Sequence, residues 1–171
     1  MKKIISLAIV AVNLVALNFH IKTFSADFTQ TINGSKHTQI RYSGTIQAKL
    51  PGMIKWSYKK PIQKTVYVNN NQITIIQPLI QQAIVTRINN TLPFFNILKN
   101  AKQMSPNQYQ SFFNKTKIYL TTDNNKIVSI TYHDQLQNKI TIIFTHQEQN
   151  KPIPKYIFHA TIPSNYDLIN R

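Results

Sequence analysis

The sequence predicts a mainly β domain, an antiparallel sheet that curls into a sandwich or barrel, with one or two short helices inserted in mid-chain. Apolar and polar residues alternate with period two in one short run after another beyond residue 38. The runs are separated by turn-forming stretches: Pro51-Gly52, Lys59-Lys60-Pro61, Asn69-Asn70-Asn71, Asp123-Asn124-Asn125 and Asn150-Lys151-Pro152-Ile153-Pro154. The long helical crossovers that a parallel sheet needs are absent.

In chain order, Met1-Lys2-Lys3 precedes the apolar run IISLAIVAVNLVAL, which is shorter than the roughly 20 residues of a membrane-spanning helix. A basic start followed by a short apolar run is the pattern of a secretory signal peptide, here residues 1–18, ahead of a single domain over 19–171. Ile21, Phe24, Phe28 and Ile32 follow at spacings of three, four and four, a helical stripe that Asn33-Gly34 stops. The strand-like runs are TQIRYSGTIQAKL, MIKWSY, KTVYVN, QITIIQ, QAIVTRI, KIYLTT, KIVSITYH, KITIIFTH and KYIFHATI. Between the fifth and sixth, TLPFFNILKNAKQMSPNQYQSFF reads as one or two short helices. Pro93 lies near the first start, and a second turn is possible after Ser105-Pro106.

The chain has 171 residues, about one domain's length, and no cysteine, so disulfides, thiolate nucleophiles and Cys-based metal sites are excluded. The formal charge of +15 fits a polyanion or an anionic membrane as partner. A codon bias toward A and T, which raises Asn, Ile and Lys together, explains it as well. Asp27, Asp123, Asp134, Glu148 and Asp167 are the only carboxylate side chains, and no pair of them has a spacing that suggests acid–base work. The histidines are scattered without a metal-ligand spacing, and no nucleophile elbow, P-loop or dinucleotide fingerprint occurs. An enzyme is not indicated. Aromatic and basic residues interleave in IKWSYKKP and IRYSG, as on single-strand nucleic-acid platforms, but no run of five or six basic residues accompanies them. A third possibility is a sheet whose apolar face exceeds what short helices can seal. It would leave a hydrophobic hollow suited to acyl chains, whereas a fully packed core would leave none.

FSADFTQTI (Phe24 to Ile32), SGTIQAKLPGMIKWSYKKP (Ser43 to Pro61), VNNNQITIIQPLIQQA (Val68 to Ala83) and LPFFNIL together resemble the outer-membrane lipoprotein carrier protein family, LolA. The likeness is densest from Phe24 to Leu98 and thin beyond Ser105. It implies an incomplete antiparallel β-barrel covered by a lid of short helices, with F-x-x-x-F-x-Q ending the first helix. It also implies a periplasmic, monomeric carrier without cofactor, taking acylated lipoproteins from an inner-membrane ABC transporter to an outer-membrane lipoprotein acceptor. A lipid-sensing domain that binds without shuttling is the related alternative, and a nucleic-acid-binding β-domain the unrelated one.

By the same resemblance the cavity and lid residues are Phe28, Ile46, Met53, Ile54, Trp56, Ile76, Phe94, Phe95, Ile97 and Leu98. Strict alternation puts Ile54 and Trp56 on one face and Met53 on the other. Two departures stand out. Lys49-Leu50-Pro51 replaces the family's Lys-Arg-Pro, and Leu50 cannot donate the hydrogen bonds by which that arginine latches the lid. The family's longer first helix would here overlap the apolar run.

Overall fold

The structure, a computed structural model, describes residues 20–34, 38–69, 71–87 and 94–170. The leader expected over residues 1–18 lies outside the described residues. In chain order the strands are β1 (Thr23–Asn33), β2 (Gln39–Lys49), β3 (Met53–Lys60), β4 (Lys64–Asn69), β5 (Gln72–Gln77) and β6 (Gln82–Arg87). Helix α1 (Phe94–Lys99) follows, then β7 (Lys102–Ser105), β8 (Gln108–Phe113), β9 (Thr116–Asp123), β10 (Lys126–His133), β11 (Lys139–Gln149) and β12 (Asp167–Asn170).

All twelve strands form one sheet, ordered β12-β6-β5-β4-β3-β2-β1-β11-β10-β9-β8-β7. Every pairing is antiparallel except the edge pair of β12 with β6, and β12 and β7 do not meet, so the sheet is unclosed. It nevertheless curls back on itself: Ile54 and Val68 from β3 and β4 share a core with Ile118 and Ile130 from β9 and β10. Bulges at Ser25/Asp27, Ser43/Gly44 and Ile127/Ser129 add local bend and twist. At the second of these, a Cβ on Gly44 would fall 1.9 Å from the Ser57 carbonyl oxygen, so only glycine lets β2 and β3 approach there.

With three glycines in the chain, the tight turns fall to asparagine, which tolerates positive φ. Asn124-Asn125 joins β9 to β10 with both residues at positive φ, as a two-residue hairpin requires. Pro106-Asn107 joins β7 to β8 with Asn107 at φ 62°. Proline followed by a left-handed residue is the pairing a type II turn requires.

The stripe at 21, 24, 28 and 32 is therefore not helical. Phe24, Ala26, Phe28 and Gln30 are buried along β1 while Ser25, Asp27 and Thr29 alternate outward. A spacing of four satisfies both the helical period and twice the strand period, so Phe24 and Phe28 share a face either way. F-x-x-x-F-x-Q is a strand here, not a helix end. The second half of the mid-chain segment is likewise the β7–β8 hairpin. KYIFHATI contains a 3-10 turn, Lys155–Phe158, in place of a strand, because Pro152, Pro154 and Pro163 remove ladder donors around it. Among the described residues α1, of six residues, is the only α-helix, so the several short lid helices that the resemblance implies are not found there.

The chain after β11 runs along the outer face. Asn150 accepts from the Lys22 amide through Oδ1 at 2.7 Å, and Thr23 Oγ1 donates to the Lys151 carbonyl at 2.6 Å. Ile153 and Phe158 then cover Met53, forming a small second core on the side of β3 opposite Ile54.

Candidate functional site

Alternation on β3 turns Ile54, Trp56 and Tyr58 inward, and the register Ile54↔Val68 and Trp56↔Val66 adds the inward face of β4. Across the interior, Ile118, Ile130, Tyr132 and Ile142 come from β9, β10 and β11, joined through Ile118↔Tyr132 and Ile130↔Ile142. These two walls, with Phe94 and Ile97 of α1 and Phe113 of β8, enclose an apolar cleft of about 440 Å³. Thr116, His133, Asp134 and Gln135 form its polar mouth. Its volume lies within the roughly 300–1,000 Å³ of small-molecule sites.

The cleft's aromatic corner is ordered. Phe28 meets Trp56 edge-on at 5.1 Å and Tyr58 at 5.2 Å, and Trp56 stacks on Tyr58 at 6.2 Å. The Tyr58 hydroxyl donates to Gln30 Oε1 at 3.0 Å. Burial, then the neighbouring Tyr132 and Tyr42, pushes the Tyr58 phenol far above its ordinary range. Burial and Asp134 raise Tyr132 as well, so both phenols stay neutral and the wall carries no charge. The Trp56 indole N–H is buried without a hydrogen-bond partner. At the mouth, the side-chain amide of Asn138, then the backbone N–H groups of Asn138 and Leu136, hold the Asp134 carboxyl below its ordinary value against desolvation. Among the described residues no cluster of His, Asp and Glu could hold a metal ion. Its neutral, apolar walls offer a ligand few hydrogen-bonding partners away from the mouth of the cleft.

Of the residues the resemblance placed here, Ile54, Trp56, Phe94 and Ile97 line the cleft. Phe28, Ile46 and Leu98 are buried in the adjoining core, and Phe95 packs against it half-buried. Leu50 sits exposed on the β2–β3 turn. Two residues face away. Met53 is covered from outside by Ile153 and Phe158. Val66↔Ile75 and Val68↔Ile73 put Ile75 and Ile73 on the inward face of β5, which turns Ile76 outward. Sequence reasoning missed Tyr58, Val66, Val68, Phe113, Ile118, Ile130, Tyr132 and Ile142. Phe113 lay in the stretch read as helical; the alternation of the others was visible, but period two does not say which of the two sets turns inward.

The family model described as outer membrane lipoprotein carrier protein LolA matches residues 20–108. The outer-membrane lipoprotein carrier protein of Helicobacter pylori strain J99 is 32% identical over 139 residues, covering 81% of this chain and 74% of that protein. That of Campylobacter jejuni is 32% identical over 157 residues, 91% of each chain, and that of Wolinella succinogenes 30% over 152 residues, 88% of each. Among solved structures, an uncharacterized conserved protein from Thermus thermophilus superposes with a TM-score of 0.57 at 6% identity, covering 89% of this chain and 92% of that one. A LolA superfamily protein from Nitrosomonas europaea superposes with a TM-score of 0.51 at 9% identity, covering 83% and 92%. At those identities the structural likeness speaks for the fold alone, while the sequence matches carry the assignment: this chain belongs to the outer-membrane lipoprotein carrier protein family, LolA.

Proposed function

We propose that this chain is a periplasmic carrier that shelters the acyl chains of lipoproteins released by an inner-membrane ABC transporter and delivers them to an outer-membrane acceptor, working as a monomer without cofactor. The observation that carries this reading is the unfilled apolar cleft between the two walls of the unclosed sheet. At about 0.8 kcal/mol per CH₂, three acyl chains of about fifteen methylenes each represent on the order of 36 kcal/mol of exposure to water, so unassisted crossing is negligible. A neutral hydrocarbon-lined hollow offsets that exposure without specific hydrogen bonds, which leaves the grip loose enough for an acceptor to take the cargo. The cleft is about three times a cavity of roughly 150 Å³ that takes up benzene. Admitting all three chains therefore requires α1 to lift, which makes α1 the lid of this carrier. Leu50 leaves that lid without an arginine latch, so contacts of Phe94 and Leu98 with the core hold it shut.

Release assays on spheroplasts test this directly. Wild-type protein is expected to bring a triacylated lipoprotein into the supernatant, and Ile54→Glu, which places a charge on the cleft wall, to reduce capture at least about tenfold. A wild-type protein that leaves the lipoprotein on the membrane refutes the reading. Binding without delivery to outer membranes would instead favour a sensing domain.

A further inference from the structure

In the antiparallel meander successive turns alternate between the two ends of the barrel, so the β3–β4 and β5–β6 turns lie at one end. The pairing Asn33↔Lys139 brings the β10–β11 turn to that same end, and the β8–β9 turn joins it. The mouth of the cleft is there too, at Thr116 and at His133, Asp134 and Gln135.

The turn tips at this end are apolar and bare. Ile62 is 51% exposed, Leu79 70%, Ile80 60% and Leu136 82%. No interior contact accounts for four large aliphatic side chains at the tips of three separate turns. At this end Lys59 and Lys60 end β3, Lys117 and Lys139 open β9 and β11, and Lys115 sits in the β8–β9 turn, none of them in an ion pair among the described residues. The carboxylates at this end are Asp134, whose oxygens accept from Leu136 and Asn138 within its own turn, and Asp167 on the edge strand. The opposite end differs. Its turns carry Pro51-Gly52, Asn71, Pro106-Asn107, Asn124-Asn125 and Asn150, with Leu50 beside one turn and Met104 on the last strand before another as its exposed large apolar side chains, and Asp123 and Glu148 among its lysines.

We propose that the mouth end of the barrel docks directly on an anionic lipid surface, with Ile62, Leu79, Ile80 and Leu136 entering the interface and the lysines meeting the headgroups. Apolar tips backed by unpaired cations are the combination an anionic bilayer selects, since burial of the tips and attraction to the headgroups act together. Docking in this pose turns the cleft mouth toward the lipid. The inference goes beyond the carrier reading, and its test uses protein free of cargo.

The absence of cysteine permits single labels on the full chain. Ile62→Cys, Leu79→Cys and Leu136→Cys, each carrying an environment-sensitive fluorophore, are expected to shift to the blue with vesicles of phosphatidylglycerol and not with vesicles of phosphatidylcholine. Labels at Leu50→Cys and Asn125→Cys are expected to stay in water. Combining Lys59→Gln, Lys60→Gln, Lys115→Gln and Lys117→Gln should weaken partitioning by about fivefold per lysine, more than a hundredfold together. Equal shifts at both ends, no shift at the tips, or partitioning unmoved by the four glutamines each overturns the proposal. A shift at the tips only when an acceptor protein is added also overturns it and assigns this end to a protein partner.

Discussion

The interior of the barrel has two halves of the same apolar chemistry, one filled and one hollow. Around β1 and β11 phenylalanines point inward among Ala26, Ile140 and Ile142: Phe24 meets Phe94 at 5.2 Å and Phe144 at 5.4 Å, and Phe24 is fully buried. Between β4 and β9–β10 the inward residues include Val66, Val68, Ile118 and Ile130. Facing sheets pack about 10 Å apart, a gap that rings can bridge and short β-branched side chains leave partly open. Between the rings of Trp56, Tyr58 and Tyr132 that also line the cleft, the short side chains of Val66, Val68, Ile118 and Ile130 leave room, and the fold holds because the other half is packed.

The largest effect expected from this difference is on stability. Phe24→Ala removes a ring from the filled half and should cost about 3–5 kcal/mol in chemical denaturation. Trp56→Ala removes a larger ring from the hollow half, yet Trp56 is only partly buried and already borders empty space, so its loss should cost about half as much. Equal losses at the two positions would mean that the cleft is filled in solution and that the halves do not differ.

Tyr58 stands on the boundary between the halves, touching Phe28 on one side and the cleft on the other. Tyr58→Phe keeps the ring and strands the Gln30 carbonyl oxygen, for an expected loss of about 1–3 kcal/mol. The pH dependence carries a definite sign. Burial raises the folded-state pKa above the unfolded value near 10, so the unfolded chain releases the proton first. The stability that the neutral phenol contributes is complete below pH 10 and declines as pH rises beyond it. Tyr58→Phe should flatten that alkaline decline in thermal melts at successive pH values, and an unchanged slope would assign the decline to other groups.

The sequence made the strands and most of their turns legible, because period two and Asn- or Pro-rich breaks are local signals. It misread β1 because Phe24 and Phe28 sit four apart, a spacing common to both periods. It misread residues 105–113 because Gln108, Gln110 and Ser111 dilute the apolar alternation of β8. The cleft was half legible. The dense family blocks end before β8, so Ile54, Trp56, Phe94 and Ile97 could be named while the opposite wall could not. Ile76 failed for a different reason: which of Ile73, Ile75 and Ile76 turns inward is set by the register with β4, a long-range property that no window of sequence contains.

The smallest expected change in stability belongs to the substitution that tests the comparison most sharply. If short side chains alone keep the two halves different, then a longer one should abolish the difference without harming the fold. Val66 lines the cleft, is half-buried, and pairs with Trp56 and Ile75, so Val66→Phe has open space before it and aromatic neighbours beside it. Filling existing space escapes the cost of overpacking, and the stability change should stay within about 1 kcal/mol of wild type, on the favourable side. Capture of lipoprotein from spheroplasts should fall nonetheless, because the hydrocarbon would find its place taken. A variant that is as stable as wild type and captures as well would show that cargo lies elsewhere than between these walls. One that is strongly destabilised would show that the space around Val66 is already occupied, and that the hollow half owes its shape to something other than side-chain length.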